Sequence, residues 1–236
     1  MEEAAPGERP KSGQDLEINP VWPPPPTNSP PAVQGTAMAA FVAYAPVGLL
    51  SWVVSALLAV FALISAAVLV AALLPPVLFH RAALGAAGLQ ALLLLATGVC
   101  FFVWTYRLNR NLRALGVTGL QFTPGWAVGY FFIPIMSLYR PYQIFREIWQ
   151  GSDPGLAPRS GRAWQNIRPP ALLGFWWVLW LISNLVDRLA AQTPNDTGAA
   201  VVGAAFSLIS AVLALLVVRL WTTRQEKTAR LLGLLA

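Results

Sequence analysis

The chain has 236 residues, of which 56% are hydrophobic and only 11% charged. Ordinary soluble domains carry about 25% charged residues, so this composition excludes a water-soluble enzyme domain and points to a bilayer. The net charge is +6, but fourteen of the sixteen basic residues are arginines standing beside apolar runs, which speaks for topology and lipid headgroups and against nucleic acid.

Residues 1–36 are rich in proline, including Pro23 to Pro26, and bury too little apolar surface to offset their ordering entropy. They are expected to form a disordered cytoplasmic tail. The first residues are acidic and no short apolar core follows, so no secretory leader is expected. A membrane domain is expected over residues 37–222, with four spans at about 47–74, 83–106, 171–190 and 199–221, and a basic cytoplasmic tail over 223–236. In the first span Ser51, Ser55 and Ala59 recur every four residues, a small-residue stripe that lets another helix approach closely. The second helix continues past the bilayer to Leu115, where Gly116 is a natural left-handed stop. Trp104, Arg107, Asn111 and Leu115 then fall on one helical face, while Arg110 and Arg113 point away from it toward phosphate or water.

Topology follows from the basic residues. Fourteen of them lie in the N-terminal tail, in residues 107–170 or from Arg219 onward, and only Arg81 and Arg188 lie in the two short loops. The positive-inside bias therefore places both termini and the 107–170 segment in the cytoplasm. Trp52, Trp104, Trp176, Trp177 and Trp221 gather at the same ends of the spans.

Between spans two and three, the apolar run from Trp126 to Met136 is eleven residues long. A bilayer crossing needs about 20, so the run cannot span. Pro124, Pro134 and Pro141 break it into pieces. Pro141 suits the first turn of a helix. Tyr142, Phe145, Ile148 and Trp149 then form an apolar stripe opposite Gln143, Arg146, Glu147 and Gln150, up to a stop at Gly151. The expectation is a re-entrant or interfacial amphipathic hairpin over 122–150, with Gly125 and Gly129 permitting close backbone packing. The fold class is thus an all-α integral membrane protein: four transmembrane helices plus this hairpin.

Trp104-x2-Arg107-x-Asn109-x-Asn111-x3-Leu115-Gly116, Pro124-Gly-Trp-Ala-Val-Gly129, Phe132-Ile-Pro134 and Arg140-Pro-Tyr-Gln-x2-Arg146-Glu-x-Trp149, with the Trp176-Trp177 pair, form a specific pattern. Over roughly residues 45–222 the chain resembles the bacterial family catalogued as domain of unknown function 4328. Tyr130 and Tyr139 stand where that pattern would carry tryptophan. The resemblance implies a multi-spanning membrane protein with a Pro-rich N-terminal tail and no assigned activity.

No nucleotide-binding loop, zinc-protease helix or nucleophile elbow is present, so no catalytic residue, cofactor or metal is expected. The one cysteine, Cys100, excludes an intramolecular disulfide, and the one histidine, His80, excludes a multi-histidine metal site. Spans with no charge near their centres disfavour an ion-coupled carrier, leaving a small-solute transporter or channel component in an oligomer as one alternative. A membrane enzyme using Glu147 with Arg146 or Arg140 is another. The favoured reading is a non-catalytic module whose aromatic, Arg-rich cytoplasmic surface binds anionic lipid, a partner protein or a second copy. Its polar contacts would be Arg107, Asn111, Arg140, Arg146 and Glu147, and its anchors Trp104, Trp126, Tyr139 and Trp149.

Overall fold

In the computed structural model, residues 43–156, 162–193 and 196–235 are described; the expected disordered tail lies outside them, as does the middle of the Arg-rich loop. The regular elements among those residues are all helical, with no strand among them, and four helices are long and apolar enough to cross a membrane. These are α1 (Gly48–Ala71), α2 (Pro76–Ala114), α5 (Ala171–Ala190) and α6 (Thr197–Leu231). At a rise of 1.5 Å per residue, α5 is about 30 Å long, α6 about 52 Å and α2 about 58 Å. The last two therefore outrun a hydrocarbon core of about 30 Å by several turns.

α2 begins earlier than its polarity suggested. Pro76 occupies the first turn, where a missing N–H is harmless, so the helix starts directly after Pro75 instead of near Ala83. It ends as expected: Gly116 has φ +79°, its N–H donates to Arg113 O, and Val117 N–H reaches back to Leu112 O at 3.0 Å. This is a Schellman ending sealed by Val117 against Leu112. α6 starts at Asp196, whose carboxylate accepts from the N–H groups of Gly198 and Ala199, and it does not stop at the bilayer. Most of the segment expected as a basic tail is its continuous helical extension.

α6 packs against α1 and α5, and α2 packs against α1. Ser51 and Ser55 of the small-residue stripe are buried on α1. Far from the connecting segment 115–170, polar contacts between spans are few. Gln90 Nε2 donates to Ser65 Oγ at 2.8 Å, joining α2 to α1. Asp187 accepts from Ser207 Oγ at 3.1 Å, joining α5 to α6, and its Oδ1 lies 3.1 Å from where a Cβ on Gly203 would stand.

Residues 115–156 and 162–170 form a cap on one end of the bundle, called here the loop end. They contain α3 (Pro124–Gly129) and α4 (Arg140–Gly151), with single 3-10 turns at Tyr130–Phe132, Met136–Leu138 and Ala163–Asn166. Thr123 Oγ1 caps α3. Ile133 is extended, as the residue before Pro134 must be, and this breaks the run in two. Gly125 and Gly129 meet no other helix, so their spacing is not a packing motif here. Gly151 does serve close approach. A Cβ there would lie 3.0 Å from Leu112 Cδ2, so α4 ends hard against α2 and continues into Ser152 without a left-handed turn.

Candidate functional site: the aromatic and arginine-rich cap

An aromatic cluster closes the loop end. Phe145 of α4 lies 5.4 Å from Trp176, 5.7 Å from Phe101 and 5.8 Å from Trp104, between ring centroids. Four indole N–H groups at this layer are tied down, while that of Trp176, buried in the same cluster, has no partner. Trp104 donates to Thr222 Oγ1, Trp221 to Phe145 O, Trp177 to Leu138 O and Trp164 to Thr118 O, at 2.8–3.0 Å. Burying an indole without such a partner would forfeit the hydrogen bond it makes to water.

Two carboxamides form the hub. Asn111 Oδ1 accepts from Ala45 N–H, and its Nδ2 donates to Ala45 O and to Gln225 Oε1. Gln225 Nε2 in turn donates to Leu108 O and Ser152 Oγ, while Thr228 Oγ1 donates to Ser152 O. The chain leading into α1, the stub of α2, the end of α4 and the extension of α6 are therefore joined in one buried network. Beside it, the Arg224 guanidinium lies 4.1 Å over the Trp149 ring, donates to Trp149 O and is ion-paired with Asp153.

Glu147 clamps the loop after α2. Its carboxylate accepts from the N–H groups of Gln121 (2.6 Å) and Phe122 (3.3 Å), and the residue is 3% exposed. Burial pushes its carboxyl above the ordinary range, against the opposing pull of those two N–H groups and of the Arg113 charge. Arg113 itself, expected to face phosphate or water, turns inward to Phe122 O and Asn109. Gln150 behaves in the same way as Glu147, donating to Gln165 O and Ile167 O. Two of the four residues on the predicted polar face of α4 are thus inward, satisfied by loop backbone. Helical periodicity cannot distinguish a polar residue facing water from one facing carbonyls and N–H groups of a covering loop.

The nine candidate residues separate into two groups. Trp104, Asn111 and Glu147 are buried, and the polar contacts just described occupy them. Trp149 is half-buried under Arg224. Glu147 makes no ion pair with Arg146 or Arg140, so the acid–base pair required by the enzyme alternative is not assembled. Arg107, Trp126 and Tyr139 are exposed, and Arg140 and Arg146 are half-exposed. Arg107 leaves the Trp104–Asn111 face because it sits at its margin, about 60° from Trp104 at 100° per residue, while Leu108 and Leu112 fill the centre.

Arg140 is the most distinctive of the accessible group. Its guanidinium lies 5.3 Å from the Tyr139 ring, 5.5 Å from Tyr130 and 5.8 Å from Phe122. It donates to Gln143 Oε1, meets no carboxylate among the described residues, and its buried Nε has no acceptor. Arg146 lines a polar cleft of about 320 Å³ with Gln121, Gln143, Gln150, Gln165 and Asn166. No cluster of His, Cys, Asp and Glu suited to a metal occurs among the described residues.

The network also uses residues that the sequence reading passed over: Thr222, Gln225 and Thr228, with Asp153, Trp164 and Arg224. A signal for the α6 group was present. Val218, Trp221, Thr222, Gln225, Thr228 and Ala229 continue a three–four spacing straight through the supposed tail.

Four span-length helices under a folded aromatic cap define a four-helix membrane module. A family model described as a domain of unknown function (DUF4328) matches residues 77–224, and the chain belongs to that family. The match opens inside α2, so α1 precedes it, and it closes at Arg224 in the extension of α6. No curated protein and no solved structure matches the chain.

Proposed function

We propose that this protein is a non-catalytic membrane module whose loop end faces the bacterial cytoplasm and binds anionic phospholipid through the hairpin between α2 and α5. The supporting observation is an apolar edge placed beside an unpaired cation. Phe132, Ile133, Ile135 and Leu138 are exposed along the broken run, Ile135 to 73%, and Arg140 stands at its end with no carboxylate partner among the described residues. Such an edge needs lipid, and a guanidinium framed by aromatic faces, with Nη1 on Gln143 and Nε buried, keeps the N–H groups of Nη2 for phosphate oxygens. The positive-inside distribution supports the orientation, and Trp126 and Tyr139 supply the amphipathic rings that favour the headgroup layer.

Native mass spectrometry of the full chain released from phosphatidylglycerol-containing nanodiscs tests this reading. Arg140→Gln should lower phosphatidylglycerol retention about fivefold, since one basic residue at an anionic surface is worth about 1 kcal/mol. Unchanged retention in a folded variant would remove the hairpin's lipid role, and a protein that co-purifies in an Arg140-dependent way would assign the surface to a partner instead.

A further inference from the structure

A second cleft, on the other side of α6 from the hairpin residues and sharing none of them, lies between the start of α1 and the point where α6 leaves the apolar layer. Its volume is about 250 Å³, and Gly48, Ser51, Trp52, Arg219, Thr223 and Glu226 line it. The Arg219 guanidinium stacks on the Trp52 ring at 3.4 Å from the centroid and, among the described residues, makes no ion pair and donates no hydrogen bond. Stacking engages the guanidinium's face and leaves its N–H edge open, the arrangement that suits a phosphodiester. One turn toward the bilayer, Leu216 and then Val212 are exposed on α6, and Trp52 is 62% exposed on α1. An apolar track therefore leads away from the cation, as acyl chains would require.

Glu226 gives the cleft its opposite pole. Among the described residues its only ion-pair partner is Arg230, at 3.9 Å and itself largely exposed, so these residues neutralise little of the carboxylate's charge. Space for it exists because residue 48 is glycine: a Cβ there would lie 2.8 Å from Glu226 Oε1. The buried Tyr44 hydroxyl stands near enough to feel the Glu226 charge and has no hydrogen-bond partner. A cation, an aromatic wall and a carboxylate in one cleft repel a second negative charge and accept an ammonium.

We propose that this cleft binds the zwitterionic phosphoethanolamine headgroup, with Arg219 holding the phosphodiester and Glu226 holding the primary ammonium. The proposal rests on the reading that the loop end lies at headgroup level, but it does not depend on the hairpin's choice of lipid. Its chemistry is distinct from that of the Arg140 surface, where the guanidinium pairs with no carboxylate among the described residues. Phosphatidylcholine offers no N–H to Glu226, and phosphatidylglycerol offers no cation.

The test uses the full chain in nanodiscs holding equal phosphatidylethanolamine and phosphatidylglycerol, with retained lipid read by native mass spectrometry. Glu226→Gln should lower the ethanolamine-to-glycerol ratio about tenfold, the loss expected for one charge-assisted hydrogen bond. Arg219→Gln should lower ethanolamine-lipid retention as a whole. In the unaltered protein, retention should fall stepwise as the headgroup nitrogen is methylated from ethanolamine to choline, which needs no variant to fold. Adding soluble phosphoethanolamine separates two sources of the same chemistry: displacement of the lipid assigns the cleft to the free solute, and its failure assigns it to the membrane. An unchanged ratio in Glu226→Gln, with or without a lowered melting temperature, would overturn the proposal and leave Glu226 only as a carboxylate at the positive end of α1. Glu226→Gln read as ethanolamine-lipid retention in nanodiscs without phosphatidylglycerol, and Arg140→Gln read as phosphatidylglycerol retention, are independent readouts, so failure of this site and failure of the hairpin are told apart.

Discussion

The two ends of α2 are built from the same kind of helix and packed in opposite ways. Toward the loop end Trp104, Leu108 and Asn111 are wholly buried; toward the other end Leu84, Leu92 and Leu95 are each more than 65% exposed. The difference follows from the solvent. In hydrocarbon an exposed leucine is already in a medium as apolar as itself, so helices gain little by covering it. Past the headgroups the same side chain meets water, and burying it contributes about 1.5–3 kcal/mol. The stub of α2 therefore needs a lid, which α4, the loop to Phe122 and the extension of α6 provide. Stability should be concentrated in the cap, and the spans should tolerate change.

The sharpest way to break this contrast is to truncate the same residue at both ends. Leu108→Ala should cost about 2–5 kcal/mol, because it opens a cavity in a closed core, as read by thermal unfolding in detergent. Next in size, Glu147→Gln should cost about 1–3 kcal/mol, because an amide can no longer accept from both Gln121 and Phe122. It should also alter the pH profile. Burial holds the native Glu147 carboxyl above its unfolded value, so the native state keeps the proton more tightly. Its contribution is full below the unfolded pKa of about 4.3 and is lost as pH rises through the native value. Wild-type stability should decline across that window more than the Gln variant's does. Gln90→Leu, which removes the bond to Ser65 within the bilayer, should cost only about 0.6 kcal/mol. Leu95→Ala should fall within about 0.5 kcal/mol of zero. Equal costs for Leu95 and Leu108 would remove the distinction between the two ends.

The spans and their punctuation were readable from the chain alone. The third span is α5 to the residue, Gly116 is the left-handed stop, and Pro141 lies in the first turn of α4. Each of these depends on local covalent facts: apolar length, a missing Cβ, a missing N–H. What the sequence concealed depends on contacts across long separations. Nothing near Glu147 announces that its acceptors' partners are the backbone of residues 121 and 122, and nothing near Asn111 announces Ala45 or Gln225. Arg113 and Gln150 were assigned to solvent for the same reason. In the cap, water is replaced by loop backbone, and a polar side chain satisfies either equally well.

Gly203 and Asp187 give the loosely packed far half one fixed point. The carboxylate rests where its neighbour helix carries only a hydrogen, with Ser207 holding it from the next turn. Sliding α5 along α6 by one turn, about 5.4 Å, would press it onto the methyl of Ala199 or the side chain of Ser207. The notch thus acts as a pawl on the lengthwise setting of the two helices, and the bundle is indexed at its far end as well as clamped beneath its lid.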